Sequence, residues 1–164
     1  MNSKKYSSKV LVIGAGMAGT EAAVYLADRG IEVVLMEVKR KKLNPAQKIP
    51  DFAELVCTNS LKSMNKGSAH GLLKIEMQAL NSAIIEEAYK AKVPAGDALA
   101  VERETFSRNV TQRLSNHENI TVLDLEACDP EKLMEEHGCD YAIIASGPLT
   151  TESLENWILN RISK

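Results

Sequence analysis

The chain has 164 residues, of which 45% are hydrophobic, and its formal net charge is −2. This length suits one globular domain with its own core, and the nearly balanced charge gives no general electrostatic reason to expect nucleic acid as a partner. No apolar run is long enough to span a membrane, and the three cysteines lack the paired spacing of a disulfide framework or a zinc site. We therefore expect a cytoplasmic protein without membrane or metal contacts, in which residues 1–8 form a flexible leader.

The stretch from residue 10 to residue 37 has the order of a strand, a glycine-rich turn, a helix and a second strand. The turn has the spacing Gly-x-Gly-x-x-Gly, and an acidic residue follows the second apolar run. This is the pattern of a dinucleotide-binding fingerprint, in which the helix N-terminus receives a diphosphate and the acid accepts hydrogen bonds from a ribose diol. We therefore predict a nucleotide site formed by Gly14, Ala15, Gly16, Met17, Ala18, Gly19 and Glu37.

The three glycines of this turn have different expected tasks. Gly14 permits the sharp turn out of the strand, Gly16 lets a diphosphate approach without a Cβ atom in the way, and Gly19 lets the helix pack closely on the strand. The acid Glu37 disfavours a 2′-phosphate on the bound ribose, because two anions would meet there.

The segment after this unit departs from the nucleotide-binding pattern. The basic run 39–42 is interpreted as a solvated loop, with phosphate binding as the alternative. Residues 51–56 predict a short helix capped by Asp51, with Cys57 at its end. The polar residues 58–70 are typical of a loop.

A longer helix is predicted further along the chain. Its apolar residues recur at helical spacing and predict one buried stripe, formed by Leu73, Met77, Leu80, Ile84 and Ala88. A turn follows, and residues 98–101 form a short extended segment.

The last third of the chain alternates between helices and strands. The spacing predicts a helix over 104–115, a strand over 120–123, a helix capped by Asp129, a buried strand over 141–145 and a helix after Thr151. Such alternation predicts an α/β fold with a parallel sheet that has helices on both faces.

Ligands in such sheets bind at the carboxyl ends of the strands. We therefore expect Ser146 and Gly147, which follow the last predicted strand, to share a crevice with the glycine turn and Glu37.

With these residues in place, the chain resembles the folate- and FAD-dependent RNA (uracil-5-)-methyltransferases, which are relatives of the glucose-inhibited division protein A flavoproteins. The resemblance runs from Lys9 to the end and rests on residues 14–23, 52–62, 93–103 and 143–150. The first stretch is general to flavoproteins with two dinucleotide sites, whereas the second and third are more specific. The resemblance implies a Rossmann-like FAD/NAD(P)-binding domain over 9–164, with an inserted loop and helix segment at about 43–103 that carries Cys57.

The function implied by this resemblance is transfer of a one-carbon unit from methylenetetrahydrofolate to C5 of a uridine in tRNA or rRNA. Reduced FAD would carry and reduce this unit, and NAD(P)H would restore the flavin. Cys57 would be catalytic, since a thiolate is a suitable nucleophile for uracil C6, whereas by residue type alone it would be an ordinary buried cysteine. Asn59, Ser60 and Arg103 are expected on the substrate or flavin side, and an ion pair with Glu102 is the alternative for Arg103.

Members of the resembled family are considerably longer than this chain. The resemblance therefore implies an N-terminal portion that ends before the second domain and is inactive alone, with the remainder supplied by a second chain as one route to activity. Two other functions stay open, namely a non-catalytic or partner-dependent nucleotide-binding module and a small-molecule flavin or NAD(P) oxidoreductase.

Overall fold

The structure is a computed structural model that describes residues 8–162, so almost all of the predicted leader lies outside the described residues. The elements follow in this order: β1 (Lys9–Ile13), α1 (Met17–Ala27), β2 (Glu32–Met36), β3 (Ser60–Ser63), α2 (Ala69–Ala79), α3 (Ala83–Lys90), β4 (Lys92–Val93), β5 (Ala98–Val101), α4 (Arg103–Ser115), β6 (Ile120–Leu123), α5 (Pro130–His137), β7 (Tyr141–Ile144) and α6 (Glu152–Ile162).

Four strands form a parallel sheet in the order β6-β2-β1-β7. Side chains of β1 alternate between its two faces: Val10 and Val12 pack with α1, α3 and α4, whereas Leu11 and Ile13 pack with α5 and α6. This confirms the predicted α/β fold with helices on both faces, because successive strand residues point to opposite sides.

A second, antiparallel sheet lies within the segment between β2 and α4. Its strand order is β3-β5-β4, with Ser60 opposite Ala100 and Val93 also opposite Ala100. The extended segment at 98–101 is confirmed as β5. The loop predicted for residues 58–70 is wrong in part, since it contains β3 and the start of α2.

The helix predicted over residues 51–56 is wrong. Helical bonding would need the backbone N–H groups of this segment, but Phe52 donates to Thr111 Oγ1 at 2.8 Å and Ala53 donates to Ala15 O at 2.9 Å. The backbone also turns into the left-handed region at Ala53, where φ is 50°. Tertiary bonds therefore replace the local helix.

The single helix predicted through residues 73–88 is also wrong, because α2 and α3 are separate. The chain breaks at Asn81, whose φ is 60°, and Ser82 caps α3 by accepting a hydrogen bond from Ile85 N. The predicted stripe is buried in α3 but not in α2, where Leu73 is exposed, and the Leu80 that follows is exposed too.

The strand predicted over 141–145 is confirmed as β7, but its predicted burial is wrong. Tyr141 is 63% exposed, because among residues 8–162 β7 pairs with β1 alone and lies at the edge of the sheet. The helix over 104–115 and the strand over 120–123 are confirmed, as is the cap of α5, where Asp129 Oδ1 accepts from Glu131 N at 3.1 Å.

Candidate nucleotide-binding site

The glycine turn joins the carboxyl ends of neighbouring strands. Gly14 N donates to Met36 O at 2.8 Å, and its φ of +101° is one that L side chains rarely adopt. A Cβ atom on Gly14 would lie 2.5 Å from Ala145 O, and one on Gly19 would lie 1.7 Å from Gly14 O. The expected tasks of these two glycines, a sharp turn and close packing, are therefore confirmed by the structure.

Gly16 differs from the other two glycines of the turn. A Cβ atom built on it would meet no atom within 4 Å, so the packing of the described residues does not require a glycine there. Gly16 is the N-cap of α1 and, within residues 8–162, no side chain caps this end of the helix. The exposed first turn of an 11-residue helix offers free N–H groups and a partial positive charge to an anion. The turn therefore fits a diphosphate.

Glu37 lies directly beside the turn, as predicted from its place after β2. Its Oε2 accepts a hydrogen bond from Ala15 N at 2.7 Å, and its Oε1 accepts one from Lys39 N at 2.9 Å. A carboxylate has about four acceptor positions, so both oxygens can still accept a hydroxyl. The half-buried carboxylate therefore fits a ribose diol.

Ser146 and Gly147 form a second wall of the same crevice. Ala145 N donates to Ile13 O at 2.8 Å, which places the end of β7 against the end of β1. The Cα atom of Ser146 is 2.9 Å from the position a Cβ on Gly14 would take. The structure thus brings Ser146, and the Gly147 that follows it, to the glycine turn.

The segment that leads to Cys57 is fastened to this turn. The hydrogen bond from Ala53 N to Ala15 O joins them, and Lys39 Nζ pairs with Glu54 Oε2 at 2.7 Å and donates to Asp51 O at 2.6 Å. The side chain of Lys39 is 3% exposed. The solvated-loop interpretation is therefore wrong for this lysine, which is a buried clamp between β2 and the segment before Cys57.

The charge of the Glu54 carboxylate, which pairs with Lys39, follows from its surroundings. Burial raises the pKa of Glu54, but the Lys39 hydrogen bond, the N–H groups of Lys48 and Ile49 and the Lys39 charge outweigh it, so the pKa is lowered from its ordinary value of 4.5. Glu54 is therefore ionised at neutral pH.

The residues expected on the reactive side lie on neighbouring elements. Cys57 is exposed, Asn59 O accepts a hydrogen bond from Val101 N at 2.8 Å, and Ser60 begins β3. Arg103 begins α4. Within the described part of the chain, no hydrogen bond joins Cys57 or Arg103 to the glycine turn.

The alternative ion pair between Glu102 and Arg103 is wrong for the described residues. Both carboxylate oxygens of Glu102 instead accept backbone N–H groups of α4, from Glu104 at 3.1 Å and from Thr105 at 2.7 Å. The pKa of Glu102 is lowered by a hydrogen bond from the Thr105 side chain and then by the backbone N–H groups of Thr105 and Glu104.

Sequence reasoning missed Glu21 as a contact between two helices. Its carboxylate accepts hydrogen bonds from the Ser82 hydroxyl, from Ala83 N at 3.2 Å and from Ile84 N at 2.9 Å, and so caps α3 from α1. A cap residue at Ser82 was detectable from its type, but a second cap 61 residues away in sequence was not.

The arrangement of a parallel sheet, a glycine turn between β1 and α1 and an acid after β2 defines a Rossmann-like α/β protein. A family model described as glucose inhibited division protein A matches residues 9–156. The chain belongs to this family, and the resemblance inferred from its residues is confirmed.

Two curated relatives are the methylenetetrahydrofolate–tRNA-(uracil-5-)-methyltransferases TrmFO of Staphylococcus aureus strains JH9 and N315. Each is 51% identical to this chain over 156 residues, which are 94% of this chain and 34% of the relative. The chain therefore spans about a third of the length of these relatives. A solved structure described as the crystal structure of MHPCO, Y270F mutant, matches with a TM-score of 0.41 and 14% identity, over 71% of this chain and 32% of that one.

Two further observations concern residues 8–162 only. No three His, Cys, Asp or Glu side chains of this part come together in a group that could hold a metal ion. None of its helices is long and apolar enough to cross a membrane.

Proposed function

We propose that the chain is the N-terminal, nucleotide-binding portion of a folate- and FAD-dependent tRNA (uracil-5-)-methyltransferase and that it carries one of the reactive cysteines. Membership of the family and 51% identity to the TrmFO relatives support this activity. The hydrogen bond from Ala53 N to Ala15 O carries the proposal, because it joins the segment before Cys57 to the glycine turn.

Different residues of the crevice would bind different parts of FAD. The first turn of α1, Met17 to Gly19, would hold the diphosphate, and Gly16 keeps its approach open. Glu37 would accept the hydroxyls of the adenosine ribose, and the Ser146–Gly147 segment would bound the crevice on its other side. FAD, when bound, would supply the electrons that reduce the transferred one-carbon unit, with methylenetetrahydrofolate as donor and NAD(P)H as reductant.

Cys57 would act on the uracil ring. C5 of uracil is unreactive until a nucleophile adds to C6, and a thiolate does this well because its sulfur is a soft nucleophile. The thiol is exposed and free, so a base can reach it. Asn59, Ser60 and Arg103 would line the substrate or flavin side of this region.

The remaining two-thirds of the relatives' length has no counterpart in this chain. We propose that the chain turns over only when that remainder is present, either in the same polypeptide or as a second chain. tRNA, or rRNA, would then bind to a surface formed largely outside these residues, because the net charge of −2 gives this part no general affinity for phosphates.

A chimera tests the proposal. Residues 9–156 of this chain replace the matching third of a TrmFO relative, and transfer of labelled carbon from methylenetetrahydrofolate to tRNA is measured. We expect the chimera to methylate tRNA, Cys57→Ala to abolish the transfer, and the matched control Cys128→Ala, at another exposed cysteine, to keep it.

The other functions predict different results. A small-molecule oxidoreductase predicts a flavin-loaded chimera that oxidises NAD(P)H as well with Cys57→Ala as without it and leaves tRNA unmodified. A non-catalytic module predicts a folded chimera that binds ADP but not FAD. Either result contradicts the proposal.

A further inference from the structure

Helix α2 buries a charged residue and exposes large apolar ones. Its buried residues are Gly71 and Lys74, whereas Leu72 and Leu73 are each 52% exposed and Ile75 is 39% exposed. Leu80, directly after the helix, is 65% exposed. We call Leu72, Leu73, Ile75 and Leu80 the α2 face. A single exposed leucine is common, but four exposed large apolar residues between positions 72 and 80 mark a candidate interaction site.

The orientation of α2 is fixed by its buried side. A Cβ atom on Gly71 would lie 1.9 Å from Asn65 O, so this part of the helix is pressed against the preceding loop. Lys74 Nζ donates to Ser63 O at 3.1 Å and to His70 O at 3.2 Å, and Lys74 is only 5% exposed. Rotating the helix to bury its leucines would break this packing. The exposure of the α2 face is therefore part of the fold.

The α2 face continues into an apolar cavity beside the nucleotide site. The cavity has a volume of about 290 Å³ and lies between α1, β3, α2 and α3. Leu73 lines it from α2, and Met17, which is 44% exposed, lines it from the first turn of α1. A partner on the α2 face would thus also reach the helix end that receives the diphosphate in the proposed function.

The chemistry of the α2 face selects its occupant. Nucleic acid needs lysine or arginine opposite its phosphates, whereas this face is apolar and the exposed charged residue between its members is the acidic Glu76. Protein interfaces need such an apolar centre with few charges. The match covers 34% of the relatives' length, so about two-thirds of each relative lies outside the matched part. The geometry points to one occupant: the α2 face and its cavity dock the polypeptide that corresponds to that remaining two-thirds, and this inference rests on the proposed function.

Hydroxyl-radical footprinting of the isolated chain and of the TrmFO chimera tests the inference. Burial of half-exposed leucines to less than a tenth exposure reduces their reactive surface about fivefold, so we expect oxidation of Leu72 and Leu80 to fall about fivefold in the chimera. Leu125, in the loop after β6, is 49% exposed and serves as the matched control, with no change expected.

A pair of variants gives a second readout. Leu80→Lys should lower the melting temperature of the chimera by several degrees but leave that of the isolated chain unchanged, and Leu125→Lys should leave both unchanged. Equal oxidation of the α2 face in both proteins would overturn the inference. Protection already in the isolated chain, with elution as a dimer, would do so too, since the occupant would then be a second copy.

The outcomes separate this inference from the proposed function. A protected α2 face in a chimera that does not methylate tRNA would remove the proposed activity and keep the docking surface. A methylating chimera with an unprotected α2 face would do the reverse.

Discussion

Replacing Lys39 by methionine removes the ammonium from a buried ion pair while keeping most of the side chain's length. The two partners are 3% and 8% exposed and 2.7 Å apart, so Lys39→Met leaves the Glu54 carboxylate buried without its cation. Loss of one partner of such a pair costs about 3–5 kcal/mol of unfolding free energy. Asp51 O also loses its donor, which places the expected cost within that range rather than below it.

Urea unfolding followed by circular dichroism at pH 7 measures this cost. The matched control is Lys132→Met, which removes an exposed pair at 3.8 Å and should change the free energy by about 0.5 kcal/mol or less. The double variant Lys39→Met with Glu54→Leu should recover most of the loss, because no unpaired charge remains. If Lys39→Met lowers the free energy of unfolding no more than the control does, the Lys39–Glu54 pair does not hold the segment before Cys57.

The pH dependence gives an independent check of the same pair. The folded-state pKa of Glu54 is lowered from 4.5, so its contribution is fully present above pH 4.5 and is lost as the pH falls through the folded-state pKa. The difference in stability between the wild type and Lys39→Met should therefore shrink below pH 4.5. A difference that stays constant down to pH 2 would contradict the ion-pair explanation.

Three other results are expected. Gly19→Ala should destabilise the chain by about 3 kcal/mol or more in urea unfolding, because the new methyl would lie 1.7 Å from a carbonyl oxygen; normal stability would contradict the turn geometry. Thr20→Val should stabilise it by about 1 kcal/mol, since the buried Thr20 hydroxyl has no partner within the described residues, and a loss in the same assay would indicate a bond not seen here. Burial raises the pKa of the Cys139 thiol, so dithiobis(nitrobenzoate) should label it more slowly than the exposed Cys57, and equal rates would refute this.

The parts of the fold that were predictable depend on local pattern. Ala15 of the glycine turn and Glu37 lie 22 residues apart, and the spacing itself determines that they meet at the end of the sheet. The strand over 120–123 was predictable from its β-branched residues, and the helix over 104–115 from the helical spacing of its apolar residues.

The errors share a different cause, which is contact with residues distant in sequence. The predicted helix at 51–56 does not form, because the N–H groups of Phe52 and Ala53 donate hydrogen bonds to Thr111 and Ala15. Lys39 looked like one of four surface lysines and arginines, and only the path of the chain to Glu54 buries it. No sequence period distinguishes that lysine from its neighbours.

Helix α2 shows that an amphipathic pattern predicts an apolar surface but not what that surface contacts. Leu73 and Leu80 form a stripe with Ile84, and the pattern correctly indicates an apolar surface. It does not indicate whether that surface faces the core of the same domain or another polypeptide. Gly71 and Lys74 turn that surface away from the core, because they hold the opposite side of the helix against the loop at 63–66.

Calorimetric titration of the isolated chain with ADP and with FAD tests most directly whether the glycine turn binds a dinucleotide. Wild type should bind both ligands, and Gly16→Val should fold normally, because its side chain points into open space. The variant should nevertheless bind both ligands about tenfold or more weakly, because in the proposed function the diphosphate would occupy that space at the end of α1. Equal affinity of Gly16→Val and wild type for ADP, or absence of any ADP binding by wild type, would contradict the account.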